Sequence, residues 1–127
     1  MYVLGVVLMI ASDCQKYYTL KIKRGLIDDG CFGRTRNPNY LGEMMLYGAF
    51  ALICPDKRAW AILALFWSTL FAMNMTLKEI SFRKKAGFAA YKAKSHFLLP
   101  QLLPCKTLDY ALWVLGAAGL AYYNMKK

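Results

Sequence analysis

The stretch Ala59-Trp60-Ala61-Ile62-Leu63-Ala64-Leu65-Phe66-Trp67-Ser68-Thr69-Leu70-Phe71-Ala72-Met73-Asn74-Met75-Thr76-Leu77 carries no charge over 19 residues. About 20 apolar residues in a helix cover the hydrocarbon core of a bilayer, so this segment predicts a membrane-spanning helix. On its N-terminal side, Pro55-Asp56-Lys57-Arg58 reads as a tight polar turn. Before the turn, Pro38 disfavours helix at Asn37, which predicts a helix from Asn39 or Tyr40 to about Cys54. The two helices form a hairpin. Asn74-Met75-Thr76 has the form of a glycosylation acceptor, but it lies inside the predicted span.

Outward from the hairpin, the flanks are basic. Residues 12–39 carry 6 Lys and Arg, with breaks at Asp28-Asp29-Gly30 and Asn37-Pro38. Residues 78–106 carry 7 more; Lys78 to Ser95 reads as an interfacial helix broken near Gly87, and Phe97-Leu98-Leu99-Pro100 closes it. Leu108 to Met125 predicts a last span, followed by Lys126-Lys127. Met1 to Ala11 is apolar without a basic n-region or cleavage site, so it is no signal peptide. It is too short to span alone. The expected architecture is an all-α integral membrane bundle: a hairpin, an interfacial helix and a C-terminal transmembrane helix. Residues 1–106 form the core, and 107–127 the last helix with its basic tail.

The whole composition agrees with this division. The 127 residues are 58% hydrophobic and carry a net charge of +10. A soluble domain holds fewer apolar residues, and a nucleic-acid binder rarely carries apolar runs this long. The bilayer is therefore the expected partner, and nucleic acid is not. If the hairpin crosses and returns, both basic flanks share one side, with 13 cations against the 4 at Lys57, Arg58, Lys126 and Lys127. The positive-inside rule puts segments 12–39 and 78–106 in the cytosol. Cys14, Cys31, Cys54 and Cys105 are scattered, which argues against a zinc site or a disulfide framework.

Two polar constellations could carry chemistry. The first is Arg34-Thr35-Arg36-Asn37-Pro38-Asn39-Tyr40-Leu41-Gly42-Glu43. Its arginines suit phosphate oxygens, and Gly42 permits close approach of a helix or ligand. Glu43 is a carboxylate one turn into an apolar helix, where such groups face a polar cavity or a partner. The bland alternative has Arg34 and Arg36 reaching headgroups while Glu43 pairs with one of them. The second constellation is Glu79 with Phe82, Arg83, Lys84, Lys85, Gly87, Tyr91 and Lys92. Interleaved rings and cations can hold a nucleotide-like cofactor, or simply form an amphipathic helix on anionic lipid. Ser12-Asp13 and Gln15-Lys16 read as a helix end. His96, the only histidine, reads as interfacial, with no serine, cysteine or carboxylate placed to pair with it.

The order Arg36-Asn37-Pro38-Asn39-Tyr40-Leu41-Gly42-Glu43, then Glu79, then Gly87-Phe88-Ala89-Ala90-Tyr91, then Leu98-Leu99-Pro100 resembles the membrane core of the steroid 5-alpha-reductase and isoprenylcysteine carboxyl methyltransferase superfamily. The resemblance covers roughly residues 8 to 101. It implies an NADPH-dependent reductase acting on the double bond of a lipid or steroid-like substrate, in the endoplasmic reticulum. It further implies that Asp13, Asn39 and Glu43 contact the nucleotide or substrate, and that Arg36, Tyr40, Glu79 and Tyr91 complete the cofactor pocket. Asn39-Tyr40-x-Gly42-Glu43 looks more like the reductase branch. A methyltransferase using S-adenosylmethionine is the alternative, and Asn37 stands where methyltransferases more often carry histidine. A non-catalytic small membrane protein is the third reading. Reductases of this type have further N-terminal helices that supply the substrate cavity and the proton donor. The resemblance therefore implies an N-terminally truncated core, or a partner supplying those helices.

Overall fold

The computed structural model describes residues 1–103 and 105–125, and the expected basic tail at Lys126-Lys127 lies outside the described residues. The chain is all-helical: α1 (Tyr2–Ile22), a 3-10 turn (Gly30–Phe32), α2 (Pro38–Ile53), α3 (Arg58–Phe66), a π-helical turn (Trp67–Phe71), α4 (Ala72–Arg83), α5 (Phe88–Lys94) and α6 (Lys106–Met125). The segment α3, π turn and α4 is one continuous helix of 26 residues, Arg58–Arg83. Among the described residues it is the one helix long and apolar enough to cross a membrane. Only 6% of its most apolar window is buried inside the protein.

Sequence punctuation explains most boundaries. Pro38 occupies the first turn of α2, where its missing N–H costs nothing. Asp56 stabilises the turn after α2, accepting from the Arg58 backbone N–H at 2.9 Å. Gly87 takes a left-handed conformation (φ 81°) before α5, a conformation glycine adopts without a Cβ penalty.

Two boundaries differ from expectation. α1 does not end near Ala11 but continues through Ser12, Asp13, Gln15 and Lys16 to Ile22. Ser12 is fully buried there, its hydroxyl donating to the Leu8 and Met9 carbonyls. Likewise residues 78–83 do not begin a separate interfacial helix. They extend the spanning helix to Arg83, and only Phe88–Lys94 forms the short helix beyond Gly87. In both places charge marks a change of surroundings, while helix geometry runs on until a backbone signal stops it.

α2 is the central element. α1 lies antiparallel on one side, with Gly5 against Gly42 and Tyr2 edge-on to Phe50 at 5.4 Å. A Cβ on Gly42 would meet the Met9 nitrogen at 2.6 Å and the Gly5 carbonyl at 2.7 Å, so the two backbones touch. The continuous helix runs antiparallel on the other side, where the Trp67 ring lies near Gly48 and Phe71 packs edge-on to Tyr40. Beyond the helix ends, Phe32, Phe88 and Tyr91 form a small core with Leu26, Ile27, Cys31 and Phe82 packed against it.

Candidate functional site

The two basic flanks meet, as the hairpin requires. Thr35 and His96 form an isolated parallel bridge: the Arg36 N–H donates to the His96 carbonyl at 2.9 Å, and the His96 N–H to the Arg34 carbonyl at 3.2 Å. Thr35 Oγ1 donates to the Leu98 carbonyl at 2.6 Å, and Asn37 Nδ2 to the Phe97 carbonyl at 2.8 Å. On the far side of this clasp, Lys94 pairs with Asp28 at 2.7 Å.

Three of the residues singled out from the sequence lie inside the clasp. Arg36 is 5% exposed; its Nε sits 2.9 Å from Glu79 Oε2, and its Nη1 donates to the Ser95 carbonyl at 2.6 Å. Glu79 is itself buried. Tyr91, 1% exposed, donates from its hydroxyl to the Phe32 carbonyl at 2.8 Å and also approaches the Thr35 carbonyl at 3.3 Å. Burial raises the Tyr91 hydroxyl well above the ordinary phenolic range, which keeps it a donor. Arg36 is thus turned inward, with Nε and Nη1 committed to protein groups. It neither reaches headgroups nor pairs with Glu43, as the bland reading had it. Arg36, Glu79 and Tyr91 form a frame holding residues 32–37 against 91–96.

The remaining residues line the outer side of that frame. Lys78 of α4 projects to Asn39, with Nζ–Oδ1 at 3.5 Å, and lies over the rings of Phe32 (5.5 Å), Phe82 (5.7 Å) and Tyr40 (5.8 Å). Lys16, Lys78 and Lys85 border a cleft of about 130 Å3 whose walls include Phe32 and Phe82. Lys85 also donates to the Gly25 carbonyl at 2.8 Å. Asp13 on α1 lies within electrostatic reach of Lys78 and Glu43. Glu43 itself points elsewhere. It lines an apolar groove of about 300 Å3 between α2 and the continuous helix, with Tyr47, Ile62, Leu63, Phe66, Trp67 and Phe71. Tyr40 touches a residue of each space, Lys78 of the cleft at 5.8 Å and Phe71 of the groove at 5.2 Å.

Lys16, Lys78 and Gln15 gain a weight the sequence did not give them. Gln15 Nε2 donates to the Asp29 carbonyl and its Oε1 accepts from the Cys31 N–H, fastening loop 28–31 to α1. A charged residue at the end of an apolar run was the only signal for Lys78.

His96 departs from expectation. It is 2% exposed, and a carboxylate does stand beside it: Nδ1 lies 3.2 Å from Oδ2 of Asp109, which is fully buried. The contact is close but off the line of a hydrogen bond, and Nε2 has no partner among the described residues. Tyr110 stacks on the imidazole at 4.5 Å. Asp109 Oδ1 accepts from the Leu102 and Leu103 N–H groups at 3.0 and 2.9 Å. Burial holds the imidazole below its ordinary value, outweighing the opposite pull of Asp109. This pair joins α6 to the clasp.

No curated protein and no solved structure matches the chain. A family model does match, over residues 1–95, which contain the clasp, the lysine cleft and Glu43. The chain belongs to the family of proteins of unknown function designated DUF1295.

Proposed function

We propose that the chain is the cofactor-binding core of a multi-pass membrane reductase that uses NADPH to reduce a double bond in a lipid-like substrate. The observation that carries this reading is the lysine cleft. Three ammonium groups, Lys16, Lys78 and Lys85, converge beside the rings of Phe32 and Phe82. Such a site complements a ligand combining several phosphate charges with planar rings. NADPH has that combination, whereas S-adenosylmethionine carries a cationic sulfonium and no phosphate. The lysines therefore favour the reductase reading over the methyltransferase one. The family's association with steroid 5-alpha-reductase-like membrane proteins points the same way.

In this reading Lys16, Lys78 and Lys85 hold the phosphates, and Asn39 and Tyr40 border the ring-bearing end. Asp13 and Glu43 lie at the junction with the apolar groove, while Arg36, Glu79 and Tyr91 keep the walls in place. When bound, NADPH supplies a hydride. The chain's own groups orient the ligand, neutralise its charge and limit water.

The membrane reading rests on the helix Arg58–Arg83, roughly 39 Å long at 1.5 Å per residue, against about 30 Å of hydrocarbon. Along it Trp60, Ile62, Leu65, Phe66, Leu70, Met73 and Leu77 are exposed, as lipid-facing residues are. α1 and α2 cross beside it and α6 crosses separately, in the endoplasmic reticulum, with the clasp on the cytosolic side.

Equilibrium binding to the purified protein in detergent tests the assignment. NADPH is expected to bind saturably, to weaken with salt, and to lose at least tenfold in affinity in Lys78→Met and Asn39→Ala. Affinity for S-adenosylmethionine with none for NADPH would sink the proposal.

A further inference from the structure

The groove containing Glu43 is longer than the site just described requires. A second apolar segment of about 290 Å3, bordered by Tyr47, Phe50, Ala51, Cys54, Ala59, Ile62 and Leu63, continues it. The two segments share Tyr47, Ile62 and Leu63, so they form one trough from Glu43 to the turn after α2. The π-helical turn Trp67–Phe71 lies at the Glu43 end of that trough. At 1.5 Å per residue, the 11 steps from Glu43 to Cys54 span roughly 16 Å. Glu43 is the one charged residue in the lining of the trough, which therefore suits a hydrocarbon chain along its length and a polar group at one end.

The polar end is defined by Glu43. Its carboxylate makes no hydrogen bond and no ion pair among the described residues, and its electrostatic neighbour across the helix contact is another carboxylate, Asp13. A carboxylate at an apolar wall calls for a donor or a cation and repels an acid. Glu43 lies one turn inside α2, at the end of the trough next to Tyr40 and the clasp, so a ligand's head belongs there and its tail runs toward Cys54.

We infer that the trough between α2 and α3 binds a single-chain lipid whose head, an alcohol or a protonated amine, donates a hydrogen bond to Glu43. This rests on the reductase reading only in calling that lipid the substrate; binding to the groove stands without it. The lysine cleft would then present the cofactor on one side of Tyr40 and the groove would present the head of the lipid on the other.

Photo-crosslinking in lipid nanodiscs tests it, with three diazirine-tailed probes of equal chain length ending in an alcohol, an amine or a carboxylate. The alcohol and amine should label Ile62 or Leu63 at least tenfold more than the carboxylate does, without NADPH present. Glu43→Gln should abolish the preference for the amine over the carboxylate, and Ile62→Trp, a change at an exposed position, should suppress labelling by all three. Lys78→Met should leave labelling unchanged while lowering NADPH affinity. Equal labelling by all three probes, no labelling of the groove, or disulfide trapping of a second copy through Ile62→Cys would overturn the inference. If NADPH still bound in that case, the function proposed above would stand. Groove labelling with the expected preference but no NADPH affinity would uphold the lipid groove and overturn the reductase reading.

Discussion

Side chains that look alike in the sequence divide sharply in their surroundings. Arg36 and Glu43 share one short motif, yet Arg36 is sealed against Glu79, 43 residues away, and Glu43 faces an open groove. That division was not legible: adjacency along the chain suggests pairing, and the true partner becomes close only once the hairpin returns. Breaking a buried pair by removing one member costs about 3–5 kcal/mol, because the remaining charge is left uncompensated. Glu79→Ala should therefore lower the unfolding midpoint in detergent far more than Glu43→Ala does. The double variant Arg36→Met with Glu79→Met should recover part of the loss. Equal effects of Glu79→Ala and Glu43→Ala would contradict the buried frame. His96 supports a second prediction at this scale. Its value lies below the ordinary 6.5 because burial disfavours the cation, with Lys106 and Arg36 adding to that and Asp109 opposing it. The unfolded chain binds the proton more readily, so this contribution to stability is complete above about pH 6.5 and is lost as pH falls toward the folded value. Thermal midpoints taken from pH 7.5 to 5.5 should fall on the acid side, and His96→Asn should flatten the slope.

Elements were legible where a backbone signal exists. Pro38 and Gly87 mark the starts of α2 and α5, and the small residue Gly42 announced a close approach, which turns out to be α1. Charge misled: neither Asp13 nor Lys78 ends a helix, because charged side chains leave backbone hydrogen bonding intact. The π-helical turn at Trp67–Phe71 left no mark in the sequence. The crossing of α1 and α2 is the contact on which the three-helix arrangement rests. Gly42→Ala would drive a methyl group into backbone atoms at 2.6 and 2.7 Å, which cannot swing aside as a side chain would. Gly116→Ala, in α6, meets nothing within 4 Å and is the matched control. The first should reduce the folded yield and the unfolding midpoint, and the second should leave both unchanged or slightly raised, as alanine favours helix over glycine by about 1 kcal/mol. Equal behaviour of the two variants would mean that α1 and α2 do not touch at this crossing.

At the scale of the whole molecule, the chain folds so that two basic segments far apart in sequence become one surface. Lys16 comes from α1, Lys78 from the last turns of the continuous helix and Lys85 from just past its end, and the site exists only because α2 and the continuous helix lie antiparallel. That juxtaposition could be inferred by counting cations, since a hairpin must return both flanks to the side it started from. The clasp supplies the contacts: Arg36 with Glu79, Thr35 with Leu98, and Lys94 with Asp28. The membrane topology proposed above adds a direction to this geometry, since the positive-inside rule would retain the cationic segments in the cytosol. The turn at residues 55–58 then lies on the opposite face from Lys85, separated by the length of the apolar helix. Single-cysteine variants on a background with Cys14, Cys31, Cys54 and Cys105 replaced by serine make this measurable. A membrane-impermeant maleimide added to sealed microsomes should label Lys85→Cys directly and Lys57→Cys only after permeabilisation. Lys23→Cys, at the end of α1, should follow Lys85→Cys. Labelling of residues 57 and 85 from the same side would mean that the helix Arg58–Arg83 lies along the membrane instead of through it, and the lysine cleft and the groove would then open to the same aqueous face.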